Sequence, residues 1–291
     1  MSIDRNQTDK TIRTFSRRAF IKSSIGLATS AVAAGGLLNS AEAQSQFGEY
    51  IPYDATRDIH YSTRYGTRDI IEHNHPGMDP TGEKFTFVRL KYPGGDWWTN
   101  IVNHYRWKSD LKFSQVLEEN TSVNVNLRRH PQYVDIDDDW LYSYPFMFMT
   151  GHGRRAQMRL TDTHIRKMRE YFERGGFLHV EDCDIRYANF WPQIQSMMRR
   201  IYPEKKFERL DISHPIYHTL YDHNEYLGGD KLVPGYEYDQ AIMDEDRVMV
   251  YFCPNDMNCA WEGRRCEPGG MEQRSWAFEQ GMNVVAYALT R

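Results

Sequence analysis

The sequence predicts an α/β fold, doubly wound around a mostly parallel sheet, and three observations carry that prediction. Phe146–Thr150, Phe177–Val180 and Arg247–Phe252 are short apolar runs. A strand covered on both faces reads this way, because neither face meets water. Segments with apolar residues at helical spacing alternate with these runs, as crossover helices between parallel strands require. Finally, polar residues gather where two runs stop, at Gly151-His152-Gly153 and at Glu181-Asp182-Cys183-Asp184. Open α/β sheets place ligands at that edge, beyond the carboxyl ends of their strands.

The N-terminus reads as an address. Ser16-Arg17-Arg18-Ala19-Phe20-Ile21-Lys22 matches the twin-arginine export pattern, and a weakly apolar stretch follows from Ile25 to Leu38. That stretch falls short of the ~20 residues a membrane span needs. Ala41-Glu42-Ala43 supplies a small-x-small cleavage pattern, so cleavage is expected after Ala43. Three segments result: a signal peptide over 1–43, an N-terminal arm over 44–83 and an α/β domain over 84–291. The expected location is periplasmic or extracytoplasmic, with no transmembrane segment in the mature chain. The twin-arginine route carries folded proteins, often with a cofactor already in place, and a divalent metal is the candidate.

Charge narrows the partners. The chain holds 36 Lys and Arg against 40 Asp and Glu. Residues 1–43 contain six basic and three acidic residues, leaving 30 against 37 and a mature charge of −7. A mildly acidic domain without a basic stripe excludes nucleic acid as the expected partner.

The arm is rich in Tyr, Asp, Arg, Gly and Pro and shows no sustained period; its His73-Asn74-His75 reads as solvated. Phe85–Leu90 is the first strand, ending in the glycine turn of Tyr92-Pro93-Gly94-Gly95-Asp96-Trp97-Trp98. Trp98, Ile101 and Tyr105 recur at helical spacing after it, and a second amphipathic helix covers Leu111–Glu119. Val123, Val125 and Leu127 alternate with polar residues as in a half-buried strand. Asp137-Asp138-Asp139 lacks the glycine and terminal glutamate of a calcium loop and reads as a capping turn.

The central unit runs from Tyr144 to Asp184. Between its two strands, Ile165, Met168 and Phe172 mark the inner face of a helix over about 161–174. Thr161 is its N-cap and Gly175 its left-handed terminator. A further helix face follows at Ile194, Met197, Met198 and Ile201, then a short strand near Phe207–Leu210. Residues 222–240 read as a Gly- and Tyr-rich loop, and Gln280–Leu289 as the closing helix. Four cysteines remain, and an exported protein tolerates disulfides. A Cys259–Cys266 bridge is one expectation; three complete pairings exist.

Several blocks occur in one order across Phe85–Arg291: Gly94-Gly95-Asp96-Trp97-Trp98, Tyr144-Pro145-Phe146, Thr150-Gly151-His152-Gly153, Gly175-Gly176-Phe177-Leu178, Asp182-Cys183, His214-Pro215, Cys253-Pro254-Asn255-Asp256, Trp261-Glu262-Gly263 and Asn283–Arg291. In these blocks the chain resembles an uncharacterised bacterial family, domain of unknown function (DUF) 4159. The resemblance implies a class I glutamine amidotransferase-like fold with a flavodoxin-like sheet, and it brings no established activity. Amidotransferases of that fold carry a Gly-x-Cys-x-Gly nucleophile elbow where this chain has Glu181-Asp182-Cys183-Asp184. The elbow glycines are missing, and the flanking carboxylates raise the thiol's pKa. His214-Pro215-Ile216 also fails to match the family's His-x-Glu partner pattern. The expectation is an amidotransferase-like domain without the catalytic set.

The candidate pocket is therefore the polar rim of the sheet: Asp96, Trp97, His152, Arg154, Asp182, Cys183, Asp256 and Glu262. It is expected to bind a small polar or carbohydrate-like ligand, or an envelope protein. A second expectation is a metal-dependent hydrolase using His152 and Asp182, with Asp184 as a further ligand. A third is a structural subunit of an envelope assembly. Strand alternation sends His179 and Glu181 to the face opposite Val180 and Asp182, so these groups do not all converge.

Overall fold

The computed structural model describes residues 84–95, 97, 109–127, 133–152, 157–183, 185–187, 190–263 and 265–291. The expected signal peptide, its cleavage point after Ala43 and the arm lie outside these residues, as do Asp96, Arg154, Asp184 and the helix expected around Ile101.

Among the described residues the architecture is mixed α/β, with one seven-stranded sheet and five α-helices. The strands are β1 (Arg89–Lys91), β2 (Tyr133–Asp135), β3 (Phe146–Gly151), β4 (Phe177–Asp182), β5 (Glu208–Arg209), β6 (Gln240–Asp244) and β7 (Arg247–Cys253). Their order is β2-β1-β3-β4-β7-β6-β5. The first five in that order run parallel, and β6 and β5 complete the sheet antiparallel. The helices are α1 (Ser109–Asn120), α2 (Asp162–Glu173), α3 (Phe190–Ile201), α4 (Met257–Trp261) and α5 (Gly270–Thr290).

Alternation along the central strands builds a separate core on each face of the sheet. Met147, Met149, Leu178 and Val180 pack with Ile165, Met168 and Phe172 of α2 and Ile194, Met197 and Met198 of α3. Phe146, Phe148, Phe177 and Tyr251 pack on the other face with Phe113 of α1, Trp261 of α4 and Met282 of α5. Each fully buried side chain of this size contributes about 1.5–3 kcal/mol. The α2 crossover closes as its caps dictate. Thr161 accepts from the His164 N–H at 3.3 Å, and the His164 Nδ1 accepts from the Thr161 N–H at 3.1 Å. Gly175 ends the helix at φ +90°, a conformation that costs other residues strain.

Two elements extend beyond the sequence reading. Helix α5 starts at Gly270 rather than near Gln280, because its first turns bury polar side chains against loop carbonyls. Gln273 Nε2 donates to the Gly229 and Glu267 carbonyls at 2.6 and 3.0 Å, and Arg274 Nη1 to Gly263 O at 3.0 Å. Strand β6 forms a hairpin with β7 whose turn places Glu245 at φ +53°. That position ordinarily carries Gly or Asn, so the turn has no sequence signature.

Candidate metal centre

The site grows from the register of three neighbouring strands. Thr150 of β3 lies opposite Glu181 of β4, and Glu181 opposite Cys253 of β7. Glu181 lies on the α1, α4 and α5 face, where Thr150 Oγ1 donates to its Oε1 at 3.1 Å and the Asn258 N–H of α4 donates to its Oε2 at 2.9 Å. The Cys183 thiol follows, 3.2 Å from Thr150 Oγ1 and 3.9 Å from Asn258 Oδ1. His179 precedes Glu181 on the same face, among the rings of Phe146, Phe148, Tyr251 and Trp261. Burial lowers its pKa to about 3, so it is a neutral core histidine.

The third component comes from the turn after β7. Asp256 adopts a left-handed backbone (φ +57°), and its carboxylate accepts from the Cys259 N–H at 3.2 Å, capping α4. A distant loop meets this turn at Gly229, where a Cβ would lie 2.1 Å from Asn255 O and 2.6 Å from the Asp256 carbonyl carbon. Only glycine permits that approach. It brings in Asp230, whose N–H donates to Asp256 O at 2.9 Å.

Two sets of possible ligand atoms converge as a result. In one, atoms of Glu181, Cys183 and Asp256 all lie within 4.8 Å of one another; in the other, those of Asp230, Asp256 and Cys259 do. Glu181 is fully buried, while Asp230 and Asp256 are more than nine-tenths buried. Burial, then the Asp256 charge, pushes the Glu181 carboxyl well above its ordinary range. Burial likewise raises Asp256 to about 7, with Asp230 and the buried Glu262 adding to the rise. Burial raises the Cys183 thiol too, ahead of the Asp256 and Glu181 charges, so it is protonated in the absence of a cation. Arg89 is the cation that acts on Glu181, but both carboxylate oxygens of Asp110 already hold its guanidinium, at 2.7 and 2.6 Å. Among the described residues, no ion pair reaches Glu181 or Asp256.

Other expected residues sit elsewhere. Asp182 faces the opposite side of the sheet, fully buried, and its Oδ2 accepts from the Trp191 N–H at 3.1 Å in the first turn of α3. His152 is half-buried just after β3, and neither it nor Asp182 belongs to a converging set. Trp97 is a core residue: its ring packs 5.1 Å from that of Tyr133 and its carbonyl accepts from Arg89 Nη1 at 2.9 Å. Glu262 is buried at the end of α4 and acts on Asp256 through its charge. Cys259 and Cys266 each carry a free thiol, as do Cys183 and Cys253. The sequence reading did not single out Asp230 or bring Cys259 together with Asp256. Alternation was the signal for Glu181, since it puts Glu181 and Cys183 on one face.

No helix among the described residues is long and apolar enough to cross a membrane. Comparison with curated proteins finds no match. A family model for a domain of unknown function, DUF4159, matches residues 86–289, most of the chain and nearly all of the α/β unit. The chain belongs to the DUF4159 family.

Proposed function

We propose that this chain is an exported domain that binds a divalent cation at the carboxyl ends of β4 and β7, with Glu181, Cys183 and Asp256 as ligands. The observation that carries this reading is the convergence of those three donors, two of them buried carboxylates, within 4.8 Å of one another. Two buried carboxylates facing each other need a proton or a cation, and a cation satisfies both at once. This narrows the small polar or carbohydrate-like ligand expected from the sequence to a cation. Cys183 then serves as a ligand rather than a nucleophile, consistent with its protonated thiol and missing elbow glycines. A metal-dependent hydrolase, if the chain is one, uses this set in place of His152 and Asp182; three ligands leave a coordination position for water.

The order of the five parallel strands, β2-β1-β3-β4-β7, supports the flavodoxin-like, amidotransferase-like reading of the fold. The β5–β6 excursion is then an addition at the sheet's edge. Export rests on the Arg17-Arg18 motif and the Ala41-Glu42-Ala43 pattern. Replacing both arginines with lysine blocks export if the twin-arginine route is used; an unchanged yield in the exported fraction removes that part of the proposal.

Elemental analysis tests the site. Protein purified without affinity metals is expected to carry zinc, manganese or iron in stoichiometric amount, and Glu181→Gln is expected to lose it. A metal-free protein that resists reconstitution with all three contradicts the reading.

A further inference from the structure

We infer that residues 218–225 form an acid-released strap over α5, latched by the neutral ring of His223. The strap runs between two fixed points, Tyr217 and Tyr226, whose hydroxyls both donate to Asp239 at 2.8 Å. Between them the chain forms no helix or strand, and His223, 6% exposed, is its only buried residue. Helix α5 supplies the rest of the hold. Asn283 Oδ1 accepts from the Leu220 and Tyr221 N–H groups at 2.7 and 2.9 Å, and its Nδ2 donates to Tyr221 O at 3.0 Å. Trp276 Nε1 donates to Glu225 O at 3.2 Å. Held chiefly by one buried ring and by side chains of a single helix, the strap can open locally while the sheet stays folded.

The latch works only uncharged. The His223 ring packs against Trp276, 5.2 Å between centroids, and its Nε2 is buried with no hydrogen-bond partner. A neutral imidazole leaves that nitrogen as a bare lone pair, whereas the imidazolium makes it a charged N–H donor facing no acceptor. The charged groups that act on the ring lie on the strap itself. His218 opposes its protonation; Asp222 favours it, but lies 3.2 Å from His218 Nδ1. The turn before the strap meets His223 through a carbonyl, Tyr217 O, which accepts its N–H at 3.1 Å. From α5 the ring meets Trp276, which carries no charge. Glu279 of α5 acts on Tyr221, and burial pushes its own carboxyl up to about 7, so acid neutralises it. Burial, with His218 adding to it, lowers the His223 ring from 6.5 to about 4. The docked value lies below the released one, so docking is at full strength above pH 6.5 and weakens as pH falls toward 4. At about pH 5 this linkage favours release by about 30-fold.

Amide hydrogen exchange on the full chain, followed from about pH 7.5 to about pH 5 and corrected for the intrinsic rate, tests the strap. The opening constant read at Leu220 and Tyr221 is expected to rise about 30-fold, while the amides of β4 stay protected. His223→Phe keeps a ring against Trp276 and takes no proton, so its opening constant is expected to stay within about threefold over the same range. A flat wild-type profile, strap amides that open in step with β4, or a rise that the variant reproduces overturns the inference. The ring-proton resonances of His223 in the wild-type protein give a check that needs no variant. A ring that stays neutral down to about pH 5 supports the latch, and one that titrates at its ordinary value overturns it.

Discussion

Two buried aspartates, Asp239 and Asp256, flank the β6–β7 hairpin, and they differ in what surrounds them. Asp239 precedes β6 and is fully buried, yet its carboxylate accepts from Tyr217 and Tyr226 hydroxyls at 2.8 Å each and from the Tyr251 hydroxyl. Tyr226 is held in turn by Asn255 Nδ2 at 3.0 Å, one residue before Asp256. Asp256 is buried almost as deeply, but its neighbours include Asp230, Glu262 and Glu181. Burial raises both carboxyls. At Asp239 the tyrosine hydroxyls pull the pKa back to about 6; at Asp256 hydrogen bonds from Cys259 pull it down while the Asp230 and Glu262 charges push it up, leaving it at about 7. Donors supplied by the protein mark a structural carboxylate. Carboxylates facing carboxylates are the charge that the proposed cation would neutralise.

Mutations separate the two most sharply through stability. Asp239→Ala leaves three buried hydroxyls without their acceptor and is expected to cost about 4 kcal/mol in urea unfolding. Glu181→Gln keeps an acceptor oxygen for the Asn258 N–H, lets the Thr150 hydroxyl turn to accept from the new amide, and removes a charge, so the metal-free protein is expected to stay within about 1 kcal/mol of wild type. Equal losses from the two variants would erase the distinction.

The next effect is a pH dependence. The ordinary pKa of Asp239 is 3.8, and its folded value is about 6. Between these values the native state binds the proton more tightly than the unfolded chain does. The stability this group contributes is thus fully present below about pH 4 and lost as pH rises through about 6. The change amounts to about 3 kcal/mol. Asp239→Asn has no such titration, so between pH 4 and 7 the stability difference should shift toward the variant by that amount. A gap that stays constant across the window contradicts the assignment. The smallest effect is Tyr226→Phe, which removes one of three donors and is expected to cost about 1 kcal/mol in the same unfolding assay.

What the sequence made legible was local. Apolar runs located β3, β4 and β7, and Thr161 and Gly175 bounded α2, because caps and strand periods act over a few residues. The start of α5 was hidden, since Gln273 and Arg274 look solvent-facing until the loop carbonyls that receive them are known. The turn at Glu245 was hidden for want of its usual glycine. At the candidate site, the sequence placed Cys183 and Asp256 in the pocket and singled out Asp182, whereas the fold brings Cys183 and Asp256 together with Glu181. Adjacent carboxylates face opposite sides of a sheet, and only the tertiary fold shows which side meets Asp256. Asp230 was invisible for the same reason, as its position depends on Gly229 packing against a turn distant in sequence.

The central claim is that Glu181, Cys183 and Asp256 share a cation. Anomalous diffraction at the zinc edge, from crystals of the protein grown with zinc, tests it directly. The account predicts a strong peak within bonding distance of all three residues. A blank map there, or a peak lodged instead between His152 and Asp182, would contradict it.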